Sequence, residues 1–205
     1  MKQSSTRELF AYWTKQRGQR CAPARSDIDP ADIRHALGDI FILAEAADEQ
    51  RFRLAGTRIC ALFGRELKGE TFASLWGEAS AQQCRDVLLD VVSEQHGFAA
   101  AATGRNADSD TVDLELLLLP LARQGVTRVS AIGALAALET PFWIGARPIV
   151  ALELGTVRNL DGNTVRPGTR VFTASQGGGR MRRGFMVYQG GLLQRLGRGG
   201  SEKAG

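Results

Sequence analysis

A chain of 205 residues, 43% hydrophobic and 23% charged, has the composition of a globular domain able to bury a core without disulfides or metal. Its net charge of +4 is uneven: residues 165–205 hold eight basic residues against Glu202 alone, a balance of +7 that leaves residues 1–164 at −3. Cys21, Cys60 and Cys84 are odd in number and widely spaced, which excludes a disulfide framework using all of them and any C-x-x-C metal pair.

The opening MKQSSTRELF is polar where a signal peptide needs an apolar run, and no stretch approaches the roughly 20 apolar residues of a spanning helix. A cytoplasmic setting without a membrane span is expected. Ser5 and Glu8 form a capping-box pattern, and Leu9, Phe10 and Trp13 then share one face at helical spacing. The spacing predicts a first helix over about residues 6–17, ending before Gly18.

Asp29 and Pro30 suit the N-cap and first position of a second, short helix, with Ile28 and Ile33 as its hydrophobic staple and Gly38 as a left-handed stop. Residues 40–43 are a continuous apolar run read as a buried central strand, and residues 48–50 make its turn. Alternation at residues 51–54 places Phe52 and Leu54 on one face of a second strand, completing a hairpin. Gly56 and Thr57 open a helical turn carrying Ile59, Leu62 and Phe63, closed by Gly64, and another short helix runs from Phe72 to Trp76. Ser80 with Gln83 repeats the capping box before Cys84, Val87, Leu88, Val91 and Val92, an unbroken i, i+3, i+4, i+7, i+8 stripe ended by Gly97.

From there the period is two. Strands are predicted over residues 98–105, 111–116 and 129–138, divided by a polar turn at 106–110 and a punctuated stretch at 120–127. Beyond Glu139, Pro141, Pro148, Pro167 and Gly177–Gly179 break any long element, leaving 149–154 and 185–188 as candidate short strands.

The order β-β-α-α-α-β-β-β predicts an α+β fold: a five-stranded antiparallel sheet with helices on one face, an N-terminal helix and a C-terminal extension. That is the order of a PAS domain. Residues 51–67, RFRLAGTRICALFGREL, with Gly69 and Trp76, resemble the signature of a bacterial family of short stand-alone PAS proteins. Residues 29–46, the opening LFAYW and residues 185–191 resemble the same family. The resemblance implies a sensory or regulatory role in bacterial signalling, with members linked to motility and cell-cycle control, and supplies no catalytic residue. The expected domains are residues 1–28 as helix and linker, 29–140 as the PAS domain, and 141–205 as a basic, Gly-rich, partly disordered extension.

Catalysis finds little support. A cysteine nucleophile needs a neighbouring base, and the only histidines are His35 and His96. A heme-ligating histidine on the long helix would have to be His96, which stands at its extreme end and off its apolar stripe. Gly104-Arg105-Asn106 mimics the start of the flavin-reactive GRNC motif, but Ala107 stands where the cysteine is needed. Gly177–Arg180 lacks the Lys-Ser/Thr pair of a phosphate loop. No cofactor and no metal are implied.

The expected function is non-catalytic: a signalling protein that switches through an unknown small ligand or a signalling-protein partner. The ligand pocket is placed between sheet and short helices, at Ile59, Phe63, Trp76, Leu88 and Leu114. Leu9, Phe10 and Trp13 are expected at a homodimer interface, because an apolar stripe outside the core must be covered. A protein-interaction module without ligand is one alternative. A nucleic-acid-associated regulator using the basic tail is another, disfavoured because the tail has no recognition helix and few aromatics.

Overall fold

A computed structural model describes residues 1–122, 129–160, 180–182 and 185–187. Met1–Ala174 form one compact unit. It opens with helix α1 (Ser4–Arg17), and three 3₁₀ turns at Arg25–Asp27, Pro30–Ile33 and Leu37–Asp39 lead to strand β1 (Ile40–Ala46). β2 (Glu49–Ala55), α2 (Thr57–Phe63), a 3₁₀ turn (Phe72–Leu75) and α3 (Glu78–Ser93) follow. Then come β3 (Phe98–Asn106), β4 (Thr111–Pro120), β5 (Val129–Ala137) and β6 (Ile149–Asn159). All pairings are antiparallel, in the order β2-β1-β5-β4-β3-β6. In the second unit, Ser175–Gly205, β7 (Arg180–Arg182) pairs with β8 (Phe185–Val187).

The predicted fold is present, with a sixth strand. β6 extends the 149–154 alternation to Asn159 and joins β3, so the sheet continues past the boundary expected at residue 140. Pro141 and Pro148 flank the connection to this strand without ending the domain, because Trp143 between them is buried in the core. The expected disorder of residues 141–205 concerns mostly residues outside those described.

Both faces of the sheet are covered. β1 sends Phe41 and Leu43 to the α2–α3 side and Ile40 and Ile42 to the α1 side; β4 divides Leu114, Leu116 and Leu118 from Leu117 and Leu119 in the same way. Leu9 and Trp13, expected at a dimer interface outside the core, are 0% and 1% exposed and pack on Leu117, Leu119 and Ile132 of their own chain's cluster. The stripe is covered from within, so its premise as a dimer surface fails for these two residues. Phe10 alone of the three stays partly exposed, stacked on Trp13 with ring centroids 6.4 Å apart.

α1 is also tied by polar contacts. Its start is capped from a distance: the Glu115 carboxylate on β4 accepts the Lys2 and Gln3 backbone N–H groups at 2.8 and 2.9 Å and the Thr6 hydroxyl at 2.6 Å. This replaces the expected Ser5–Glu8 box; the N-cap is Gln3, and Ser5 lies buried inside the helix. The Trp13 indole N–H donates to the Pro120 carbonyl at 2.8 Å. Tyr12 accepts the Asp29 N–H at 2.8 Å and donates to the Asp27 carbonyl at 3.2 Å, tying the next 3₁₀ turns to the helix.

Other local expectations are met or corrected for identifiable reasons. Asp29 caps Pro30–Ile33 through the Ala31 N–H, and Gly64 ends α2 in the left-handed conformation, at φ 63°. Gly38 is not a left-handed stop; it lies within the Leu37–Asp39 turn under the Arg58 guanidinium. Leu54 does not share the Phe52 face. A bulge at Arg53 pairs Leu54 with Ile42 and Phe52 with Leu43, so Leu54 turns outward and is 45% exposed. Gly77 rather than Ser80 caps α3, and the buried Ser80 hydroxyl instead accepts the Leu154 N–H of β6 at 2.9 Å. α3 ends at Ser93, before Gly97.

Two outcomes follow. Trp13→Ala should lower stability by about 3–5 kcal/mol, as expected for truncating a large core side chain; a urea midpoint equal to wild type would show that α1 is dispensable. Burial disfavours the Glu115 carboxylate charge, but the Thr6, Gln3 and Lys2 hydrogen bonds outweigh it and hold the group below its ordinary value. Its contribution is therefore full above the ordinary carboxylate range and lost as pH falls through the lowered value. Glu115→Gln should lower stability at neutral pH and flatten the acid limb of a stability-against-pH curve, whereas parallel curves would refute the role.

Candidate functional site

The side chains nominated for a pocket come from four places: Ile59 and Phe63 on α2, Trp76 after the Phe72–Leu75 turn, Leu88 on α3, and Leu114 on β4. They share one buried cluster between the sheet and α2–α3. The positions are brought together, but the centre of that cluster is aromatic. Phe41 lies 5.6 Å from both Phe52 and Phe72, centroid to centroid, and Phe72 lies 5.8 Å from Trp76. The Phe41 ring can reach across β5 only because residue 133 is glycine; a Cβ there would strike it. Phe41, Phe52 and Phe72 were not among the nominated pocket residues. The i, i+4 spacing of Phe72 and Trp76 on their short turn was the available signal.

Trp76 is the polar exception in this cluster. Its backbone bridges to Leu152 of β6, and the following Gly77 N–H donates to the Leu152 carbonyl at 2.9 Å. The backbone is thereby held on β6, and the side chain is 5% exposed, with the indole Nε1 buried and without a hydrogen-bond partner among the described residues. A buried donor left unpaired costs about 1–3 kcal/mol, so its position calls for an acceptor.

A separate groove of about 330 Å³ opens on the surface between the β1–β2 hairpin, the Phe72–Leu75 turn and α3. Its floor is apolar, with Phe72, Cys84, Leu88 and Leu89, and its rim carries Glu45, Asp48, Glu49 and Asp86 against Arg85. Leu88 is the nominated pocket residue that borders it. Leu89 was not nominated, because it stands off the buried stripe of α3; it is 64% exposed.

Neither Cys60 nor Cys84 has the character of an activated nucleophile. Burial pushes the Cys84 thiol well up, and burial first, with the Glu66 carboxylate, also raises Cys60. Among the described residues no group of three His, Cys, Asp or Glu side chains is placed to hold a metal ion, and no helix is long and apolar enough to cross a membrane. Asn106 closes the β3–β4 turn by accepting the Asp108 and Asp110 N–H groups at 3.0 and 2.9 Å, so the GRN triplet serves the hairpin. His96 lies in the link between α3 and β3.

The block that carries the family resemblance is scaffold. Arg51 donates to the Gly69 carbonyl at 3.0 Å, Arg58 grips Asp39 at 2.7 Å, Arg65 pairs with Glu70 at 2.8 Å, and Leu67 is buried. Residues 1–136 match the family model described as the PAS domain. The chain belongs to the PAS-domain family. PAS domains are sensory and regulatory modules of signal transduction. The match starts at residue 1, so it includes α1, which had been expected to lie outside the domain.

No curated protein matches the chain. Among solved structures it is similar to a light-oxygen-voltage domain studied with a flavin analogue, at 14% identity and TM-score 0.43, over 53% of this chain and 83% of that one. It is also similar to the PAS domain of a protein from Colwellia psychrerythraea, at 14% identity and TM-score 0.40, over 54% and 98%. An RNA-binding light-oxygen-voltage receptor matches at 17% identity and TM-score 0.41 over 60% of this chain, which spans 36% of that receptor.

Phe72→Ala should destabilise the PAS fold by about 3–5 kcal/mol, since it opens the middle of the aromatic cluster. Trp76→Phe removes the unpaired donor along with part of a ring, so the two effects oppose each other and its cost should stay within about 1–2 kcal/mol. Denaturant titration of both variants checks the contrast, and an equal loss would mean that the indole N–H is satisfied in solution.

Proposed function

We propose that this PAS chain is a non-catalytic regulator of bacterial signal transduction that works in the cytoplasm and switches on binding a small molecule in the interior between sheet and helices. The buried, unpartnered Trp76 indole N–H carries this reading. A ligand with a hydrogen-bond acceptor would satisfy it, and Ile59, Phe63, Leu88 and Leu114 supply the apolar surroundings. Entry requires Phe72 and its neighbours to move aside, so ligand binding and repacking are one event.

That repacking has a route outward. β4 carries Leu114, Leu116 and Leu118 on the ligand side and Leu117 and Leu119 beneath α1. A ligand that favours one packing of the inner cluster therefore shifts the population of α1 arrangements on the other face. α1 and its exposed Phe10 edge are the surface offered to a signalling partner or a second copy.

Native mass spectrometry of the full chain tests the proposal. The wild type should carry a co-purifying small molecule, and Trp76→Phe should lose it while remaining folded. A wild type that carries none, and whose tryptophan fluorescence does not respond to a soluble extract freed of macromolecules, would leave a protein-interaction module as the better account.

A further inference from the structure

We propose that the groove between the β1–β2 hairpin and α3 is a docking site for a short segment of a partner protein in which an apolar side chain is flanked by lysine or arginine. The groove opens on the surface beside the interior around Trp76 and shares Phe72 and Leu88 with it, and the proposal does not need a small ligand.

Three features of the groove converge on this occupant. The first is its floor: Phe72, Leu88 and Cys84 face it from the core, and Leu89 stands 64% exposed at its side. Leu89 thereby extends the apolar floor of Phe72, Cys84, Leu88 and Val92 to the surface, where an incoming apolar side chain would cover it.

The second is its charge. The rim carries Glu45, Asp48, Glu49 and Asp86; Arg85 stands among them and Arg51 pairs with Glu49 at 2.6 Å, so four carboxylates face two guanidinium groups and the rim stays net negative. Arg85 is already engaged, donating to the Gln82 side-chain carbonyl at 3.0 Å. The Gln82 amide in turn donates to Asp86 at 3.0 Å and orients that carboxylate. Such a rim steers cationic segments in and turns anionic ones away. It therefore disfavours nucleic acid and anionic lipid as occupants.

The third is its place in the fold. Phe72 and Cys84 belong to the groove floor and to the buried cluster alike, as does Leu88. An occupant pressing on them acts on the same packing that reaches α1 through β4.

The test uses the full chain and a short fluorescein-labelled peptide of alternating lysine and leucine, followed by anisotropy. Saturable binding is expected, weakened as salt screens the rim, over a Debye length of about 10 Å at 0.1 M. Leu89→Ser, which removes an exposed side chain and should leave the fold intact, and the pair Asp48→Asn with Asp86→Asn should each weaken binding about tenfold. Phe142→Ser, at a side chain 91% exposed and outside the groove, should change nothing. Absence of saturable binding overturns the proposal, as does equal binding of a glutamate–leucine peptide or of a lysine–serine peptide. Binding indifferent to Leu89→Ser also overturns it. Full competition by an equal concentration of leucinamide would assign the groove to small amines instead.

Discussion

Side chains project from both faces of β1 and β4 as large apolar groups, and every one of them has to leave water. Alternation along a strand sends successive residues to opposite sides, so a strand such as 114–119, six leucine or glutamate positions of which five are leucine, cannot be satisfied by a single helical layer. The requirement for a second cover fixes the position of α1. It also turns Leu9 and Trp13 from candidate contacts with another molecule into contacts with their own sheet. Glu115, the one acidic residue in that run, faces the start of α1 and uses its charge to accept the N–H of the N-cap Gln3 and that of Lys2 before it.

This two-sided burial couples the packing on one face of the sheet to the packing on the other. The inner cluster around Phe41, Phe52, Phe72 and Trp76 and the outer cluster around Trp13 do not touch through a pore or a hinge; they share strands. A shift of β4 that relieves crowding on one side is felt on the other, because close-packed interiors do not absorb a displacement locally. α1 is held by a few directional contacts, to Glu115 and to the Pro120 carbonyl, in addition to its apolar face.

Much of this was legible in the sequence, for reasons that can be assigned. Period-two and helical stripes located the strands and α3, and the Asp29-Pro30 and Gly56–Gly64 signals survive as real caps. What was not legible is tertiary. The stripe of α1 looked the same whether its cover was a sheet or a second chain, and no local rule says that Glu115 replaces Ser5 as the cap. The bulge at Arg53 moves Leu54 to the other face without disturbing the alternation that predicted otherwise. The strand at 149–159 was visible only in its first half, because what makes it a sheet member is its pairing with β3, an interaction set by register rather than by pattern.

The nominated pocket residues meet in one cluster, and among them only Trp76 carries a polar group. The signature block from Arg51 to Leu67 fastens the α2 turn to the hairpin and to Asp39, and its Arg51, Arg58 and Arg65 are spent on carboxylates and carbonyls of the scaffold. Resemblance carried by such a block speaks to how the chain folds and is silent on what it recognises. The two proposed recognition sites rest instead on a buried indole N–H with no acceptor among the described residues, and on an exposed leucine beside an acidic rim. Phe72 belongs to both places, its ring centroid 5.8 Å from that of Trp76 and its side chain in the lining of the groove, so whichever of them is occupied, the same ring must respond.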